Sequence, residues 1–140
     1  MPVFESTKLM LHASDYWIVS LPVEEQEKAL DLFKPLKPFS SITIDSNEVS
    51  LILASDEWDQ MRSSFKEYQE EGPYRVITFD IVLDLSLVGY LSVVSAILAD
   101  AGISIYALST YLRDHILVKA AEAERALKLL EDLIQRCREA

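Results

Sequence analysis

Cysteine is nearly missing: Cys137 stands alone, so no intrachain disulfide can form. Glycine occurs only 3 times and proline 5 times in 140 residues, which leaves little room for long disordered tracts. Cationic residues are scarce too, with 13 Lys and Arg against 23 Asp and Glu, a formal net charge of −10. Nucleic-acid binding replaces phosphate counterions with cationic side chains, so that partner class is excluded. The same negative field repels an anionic membrane surface. The longest apolar stretch, Val88 to Ala99, is broken by Gly89, Ser92 and Ser95 and is too short to span a bilayer. The N-terminus lacks a basic region followed by an apolar one, so no signal peptide is expected and the cytoplasm is the expected location. His12 and His115 have no third His or Cys at ligand spacing, so neither metal nor cofactor is expected. No phosphate-cradling glycine loop, Ser-His-Asp set or paired carboxylates can be placed, and nothing in the chain argues for an enzyme.

Hydrophobic residues make up 50% of the chain, enough for a real core at this length. Lys8 to His12 and Tyr16 to Leu21 read as strands around the turn Ala13 to Asp15. Pro22 suits a first helical turn, Val23, Ala29, Leu30 and Phe33 give that helix an apolar face, and Pro35 and Pro38 end it. Ser40 to Ile44 and Val49 to Ala54 form a hairpin across Asp45 to Glu48. Trp58, Met61, Phe65 and Tyr68 recur at helical spacing and predict a helix over Asp56 to Tyr68. Glu70 to Pro73 reads as a linker, and Tyr74 to Leu87 as one long extended run. Tyr90, Leu91, Val94, Ile97, Leu98 and Ala101 make an apolar helical face that Gly102 stops. Ile103 to Ser109 and His115 to Lys119 are strands. Ala123, Ala126, Leu127, Leu130, Leu133, Ile134 and Cys137 stripe the last helix.

This order predicts an α+β fold of two ferredoxin-like βαββαβ units, 13–73 and 74–140. The second unit lacks a final strand, since the sequence stops with its helix. The first strand, 8–12, is left over. The economical reading lets it complete the second unit, so that the two are interlocked.

The run DLSLVGYLSVVSAILADAGISI, Asp84 to Ile105, resembles the ACT-domain signature: an acidic residue closing a strand, a short loop to glycine, an amphipathic helix, then Ala-Gly-Ile. ALSTYLRDHILV, Ala107 to Val118, and ITIDSNEVS, Ile42 to Ser50, are similar to a subgroup holding small bacterial two-ACT proteins and animal cytosolic arginine sensors. That subgroup usually has Asp-Thr where this chain has Leu112-Arg113. The resemblance implies an amino-acid-binding regulatory protein with its ligand at an interface between ACT units. It also implies a homodimer, since the animal relatives carry four such units in one chain, and a regulatory protein partner.

The candidate ligand residues are Ser86, Leu87, Val88, Gly89, Tyr90, Ser109, Thr110 and Asp114. Gly89 allows close backbone approach, and the helix starting there offers unpaired N–H groups to a carboxylate. The plain alternative is a glycine that merely permits a tight turn. The resemblance places Asp114 opposite an ammonium or basic side chain; a hairpin-capping aspartate is the alternative. Ser109 and Thr110 supply hydroxyls to a pocket or belong simply to a strand. Arg113 reads as an exposed loop arginine rather than a carboxylate clamp. Arginine or another basic or neutral amino acid is the favoured ligand, because Asp114 and the net charge disfavour anions. A ligand-free protein–protein interaction module of the same fold is the competing function.

Overall fold

In the computed structural model, which describes residues 2–84 and 86–140, antiparallel strand pairs carry helices in two compact units. One is continuous, Ser14–Tyr74; the other is split, combining residues up to Ala13 with Arg75–Ala140. Leu85, which falls within the signature run, lies outside the described residues.

The continuous unit holds β2 (Tyr16–Leu21), α2 (Gln26–Phe33), β3 (Ser41–Ile44), β4 (Val49–Ala54) and α3 (Ser55–Met61), and takes in the first half of β5 (Gln69–Asp80). β2 pairs antiparallel with β4 from Tyr16↔Ala54 to Leu21↔Val49, and β3 pairs antiparallel with β4 on its other edge. β2 and β3 therefore run parallel on either side of β4, the split βαβ arrangement. Val19, Leu21, Leu51 and Leu53 face Ala29, Trp58, Met61 and Phe65 to form this unit's core.

Three expectations change here. The segment expected as a linker is strand: Glu70 pairs with Val19 and Glu71 with Ile18. Its register shifts between Tyr16 and Ile18. A Cβ on Gly72 would sit 2.7 Å from Trp17 Cδ2, so glycine is there for close approach, not for a hinge. The helix expected over 56–68 stops at Met61, followed by a 3-10 turn at Arg62–Ser64. Phe65 and Tyr68 still meet Trp58, at ring distances of 6.2 and 5.4 Å, so the helical spacing of these aromatics reflects a shared cluster. Before α2, Val23–Glu25 is a 3-10 turn, and Leu30 is exposed.

The split unit holds a short α1 (Pro2–Glu5), β1 (Lys8–Leu11), the second half of β5, α4 (Tyr90–Asp100), β6 (Tyr106–Ser109), β7 (Asp114–Lys119) and α5 (Ala123–Glu139). Its strand order is β1-β5-β7-β6, with β1 antiparallel to β5 from Lys8↔Asp80 to Leu11↔Ile77. The extended run expected to reach Leu87 stops at Asp80, where its partner β1 begins. Ile77, Phe79, Ile116 and Val118 pack under Val94, Leu98, Ala126, Leu130 and Ile134 of the two helices. β6 starts at Tyr106 rather than Ile103, because the end of α4 claims Ile103. Gly102, at φ +76°, and Ile103 send their N–H groups back to Ala99 and Leu98, which caps the helix.

Among the described residues, no helix is long and apolar enough to cross a membrane.

Candidate functional site

α4 begins at a glycine for a physical reason. Gly89 has φ +88°, a left-handed conformation that side chains resist. With no side chain, it cannot cap the helix it precedes. The first intrahelical bond is Val93 N–H to the Gly89 carbonyl, so the N–H groups of Tyr90, Leu91 and Ser92 come before the ladder starts.

Facing this helix start is the β6–β7 hairpin. Thr110 N–H donates to the Arg113 carbonyl at 2.9 Å, and the Thr110 hydroxyl donates to the same oxygen at 3.0 Å. Ser109 Oγ donates to Asp114 Oδ1 at 2.6 Å. The hairpin is tied to the β5–α4 loop by Leu83 N–H to the Leu112 carbonyl, 2.9 Å, and by the Arg113–Asp80 ion pair, 2.9 Å.

Between loop and hairpin lies a cleft of about 420 Å³. Leu87, Gly89, Tyr90, Ser109, Thr110 and Asp114 line it, which brings together six of the eight candidate residues. Ser86 and Val88 are not in its wall. Ser86 donates both its N–H (2.8 Å) and its hydroxyl (2.7 Å) to Asp84 Oδ1, and Leu87 N–H goes to the Asp84 carbonyl. These bonds, from the Ser86 hydroxyl first, hold the Asp84 carboxyl below its usual range. Val88 points outward, 85% exposed. The amide donors next to the cleft are therefore those of Tyr90 to Ser92, at the start of the helix that follows Gly89.

The cleft also has walls that sequence reasoning left out: Leu83, Leu91 and Ser92 on one side, Tyr111, Leu112 and Arg113 on the other. Leu91 and Ser92 were readable as the first turn of a helix beginning after Gly89. Arg113 is half-buried and ion-paired, not the exposed loop arginine its sequence neighbourhood suggests. Its neighbour across the loop, Asp80, lies 33 positions away, and no local pattern signals that pairing.

Tyr90 is held from behind. Its ring stacks on Phe4 at 4.5 Å and meets Phe79 edge-on at 5.6 Å. The Thr7 hydroxyl donates to the Val3 carbonyl, so Tyr90, 3.1 Å away, donates to Thr7. Burial pushes the Tyr90 phenol up to about 12, so it stays a neutral donor. Asp84, in the loop before α4, and Asp114, on the hairpin, both line the cleft, and its one guanidinium, Arg113, is paired with Asp80. The cleft thus brings the start of α4, with its amide donors, and the Asp114 carboxylate of the facing hairpin into one wall. Among the described residues no group of His, Cys, Asp or Glu is arranged to hold a metal.

Residues 69–132 match the family model of the ACT domain, a span that contains the whole cleft. Curated proteins give no match. Solved structures similar to this chain include a Vibrio cholerae protein of unknown function described as a possible transport protein. It is 21% identical, covers 95% of this chain and 94% of its own, and has a TM-score of 0.75. An Agrobacterium tumefaciens protein is 24% identical over 90% of this chain and 87% of its own, TM-score 0.73. The ligand-free regulatory subunit of aspartate kinase from Thermus thermophilus is 11% identical over 91% of this chain and 98% of its own, TM-score 0.65. At these identities the likeness shows a shared fold.

Proposed function

We propose that the chain is a cytoplasmic regulatory protein of two interlocked ACT units, not an enzyme, and that the cleft of the split unit binds an amino acid. The carrying observation is that one cleft is lined both by the start of α4, which no side chain caps, and by the Asp114 carboxylate of the β6–β7 hairpin. An amino acid has the matching pair of charges. Its carboxylate goes to the N–H groups of Tyr90 to Ser92, where the helix dipole also favours it. Its ammonium or basic side chain goes to Asp114. Two carboxylates in the wall favour a basic or neutral side chain, with L-arginine the first ligand to try. A thermal-shift panel of the twenty amino acids tests this. A ligand at 100 times its dissociation constant stabilises the protein by about 2.7 kcal/mol. No shift with any of the twenty would contradict the reading.

One observation favours docking as a second role. Leu87, Tyr111 and Leu112 line the cleft with exposed large apolar side chains (Tyr111 77% exposed), and Val88, next to Leu87 in the chain, is 85% exposed. A second copy of the chain is the proposed occupant. Sedimentation equilibrium then gives about twice the 15.9 kDa chain mass, and a monomer at micromolar concentration would rule the homodimer out.

A further inference from the structure

Behind the hairpin, four side chains of the split unit stand in one hydrogen-bonded line. His12 Nε2 is 2.7 Å from Thr78 Oγ1, Thr78 Oγ1 is 2.8 Å from His115 Nδ1, and His115 Nε2 is 3.2 Å from Thr110 Oγ1. Thr78 and His115 are buried, 3% and 8% exposed. The line has a direction, and one end sets it. The Arg113 carbonyl only accepts, so Thr110 spends its single hydrogen there. Thr110 must then accept from His115 Nε2–H. A neutral imidazole protonated at Nε2 is bare at Nδ1, so Thr78 donates to His115. Thr78 has no second hydrogen, so it accepts from His12 Nε2–H.

This geometry ties the charge of His115 to the direction of Thr78. A proton on His115 Nδ1 requires the Thr78 hydroxyl to turn toward His12, whose Nε2 must then be bare. We infer that His115 is a positioning residue for the cleft, and that Thr78 relays a proton from His12 to it, setting a positive charge beside Asp114 that opposes a cationic ligand group. The balance is simple. Water delivers a proton to His12. Its Nε2 proton passes to Thr78 Oγ1 as the Thr78 proton passes to His115 Nδ1, leaving His12 neutral and His115 an imidazolium.

After burial, the first influence opposing a charge on His115 is a charge on His12, and the end state removes it by leaving His12 neutral. Arg75 donates Nε and Nη2 to the His12 carbonyl at 2.9 and 2.7 Å and repels a charge on that ring. His115 adjoins Asp114, which attracts one. Arg113 opposes it, but its guanidinium is paired with Asp80. Burial holds both rings below the usual histidine range, so the relay acts at acid pH.

This inference rests on the amino-acid reading of the cleft, and two measurements keep them separable. The first needs no ligand: the ring-nitrogen shifts of both histidines, followed by NMR from pH 8 to pH 5. His115 Nε2 and His12 Nε2 should both carry protons at pH 8; one transition should then add a proton at His115 Nδ1 and remove one at His12 Nε2. Independent titration, or a bare His115 Nε2 at pH 8, overturns the relay. The second is calorimetry with L-arginine. Affinity should fall on acidification, by at most about tenfold per pH unit below the transition. His115→Gln keeps an N–H for Thr110 and cannot ionise, so it should match the wild type at pH 8 and lose the slope. His115→Leu, which offers Thr110 nothing, should bind more weakly already at pH 8. A His115→Gln profile as steep as the wild type overturns the gating. Absence of arginine binding at pH 8 with the NMR pattern intact overturns the gating through the cleft reading, and leaves the relay standing.

Discussion

Asp114 is the residue on which the functional account leans hardest. Its carboxylate already accepts the Ser109 hydroxyl, an arrangement that fixes its direction without neutralising it. Asp114→Ala should cost about 1.5–3 kcal/mol of amino-acid binding, the worth of a hydrogen bond to a charged group. Calorimetry reads this directly, and an unchanged affinity would remove Asp114 from the site. Gly89 supports the start of α4. A β-branched residue at φ +88° is strained by roughly 1–3 kcal/mol and crowds the approach to the amides. Gly89→Val should therefore abolish binding in a protein that still folds, as circular dichroism would show. Binding retained by the valine variant would mean that the ligand does not come near this turn.

At the scale of elements, periodic stripes were the legible part. The stripe of α5 emerges as written: Ala123, Ala126, Leu130 and Ile134 are buried, with Leu127, Leu133 and Cys137 packed alongside. Gly102 ends α4 as a left-handed cap. Strand limits were harder to read, because partners far away in sequence set them. β5 runs 69–80 since β2 meets its first half and β1 its second. A Glu-Glu-Gly-Pro string carries turn chemistry locally, yet here Glu70 receives the Trp58 indole and the Arg62 guanidinium from across the unit. Gly72→Ala tests this strand assignment: a methyl 2.7 Å from the Trp17 ring should cost about 1–3 kcal/mol by overpacking, seen as a lower urea midpoint. An unaffected midpoint would restore the linker reading. The cleft was legible where it rests on a helix start and a hairpin turn, and illegible where Asp80 meets Arg113. α1 gave no periodic signal at four residues, though it supplies the Phe4 ring behind Tyr90. Deleting residues through His12 removes that ring together with β1. The melting temperature should drop by on the order of 10 °C, and a truncated chain as stable as the full one would refute the interlocked arrangement.

For the molecule as a whole, acid is the informative variable. Both histidines have folded-state values below 6.5, so below that pH the unfolded chain takes up protons that the native one does not. Stability is thus complete above about pH 6.5 and lost as pH falls from there toward the native values. The urea midpoint should be lower at pH 5.5 than at pH 7.5, with a smaller difference in His115→Gln; equal midpoints would show the native rings to be unperturbed. The central claim remains that an amino acid occupies the cleft with its carboxylate on α4 and its cationic group at Asp114. Backbone-amide NMR during titration with L-arginine at pH 8 tests it most directly. The account predicts saturable shifts that are largest at Tyr90, Leu91 and Ser92 and across Ser109 to Asp114. Shifts centred elsewhere in the chain, or none at millimolar arginine or with any other amino acid of the twenty, would contradict it.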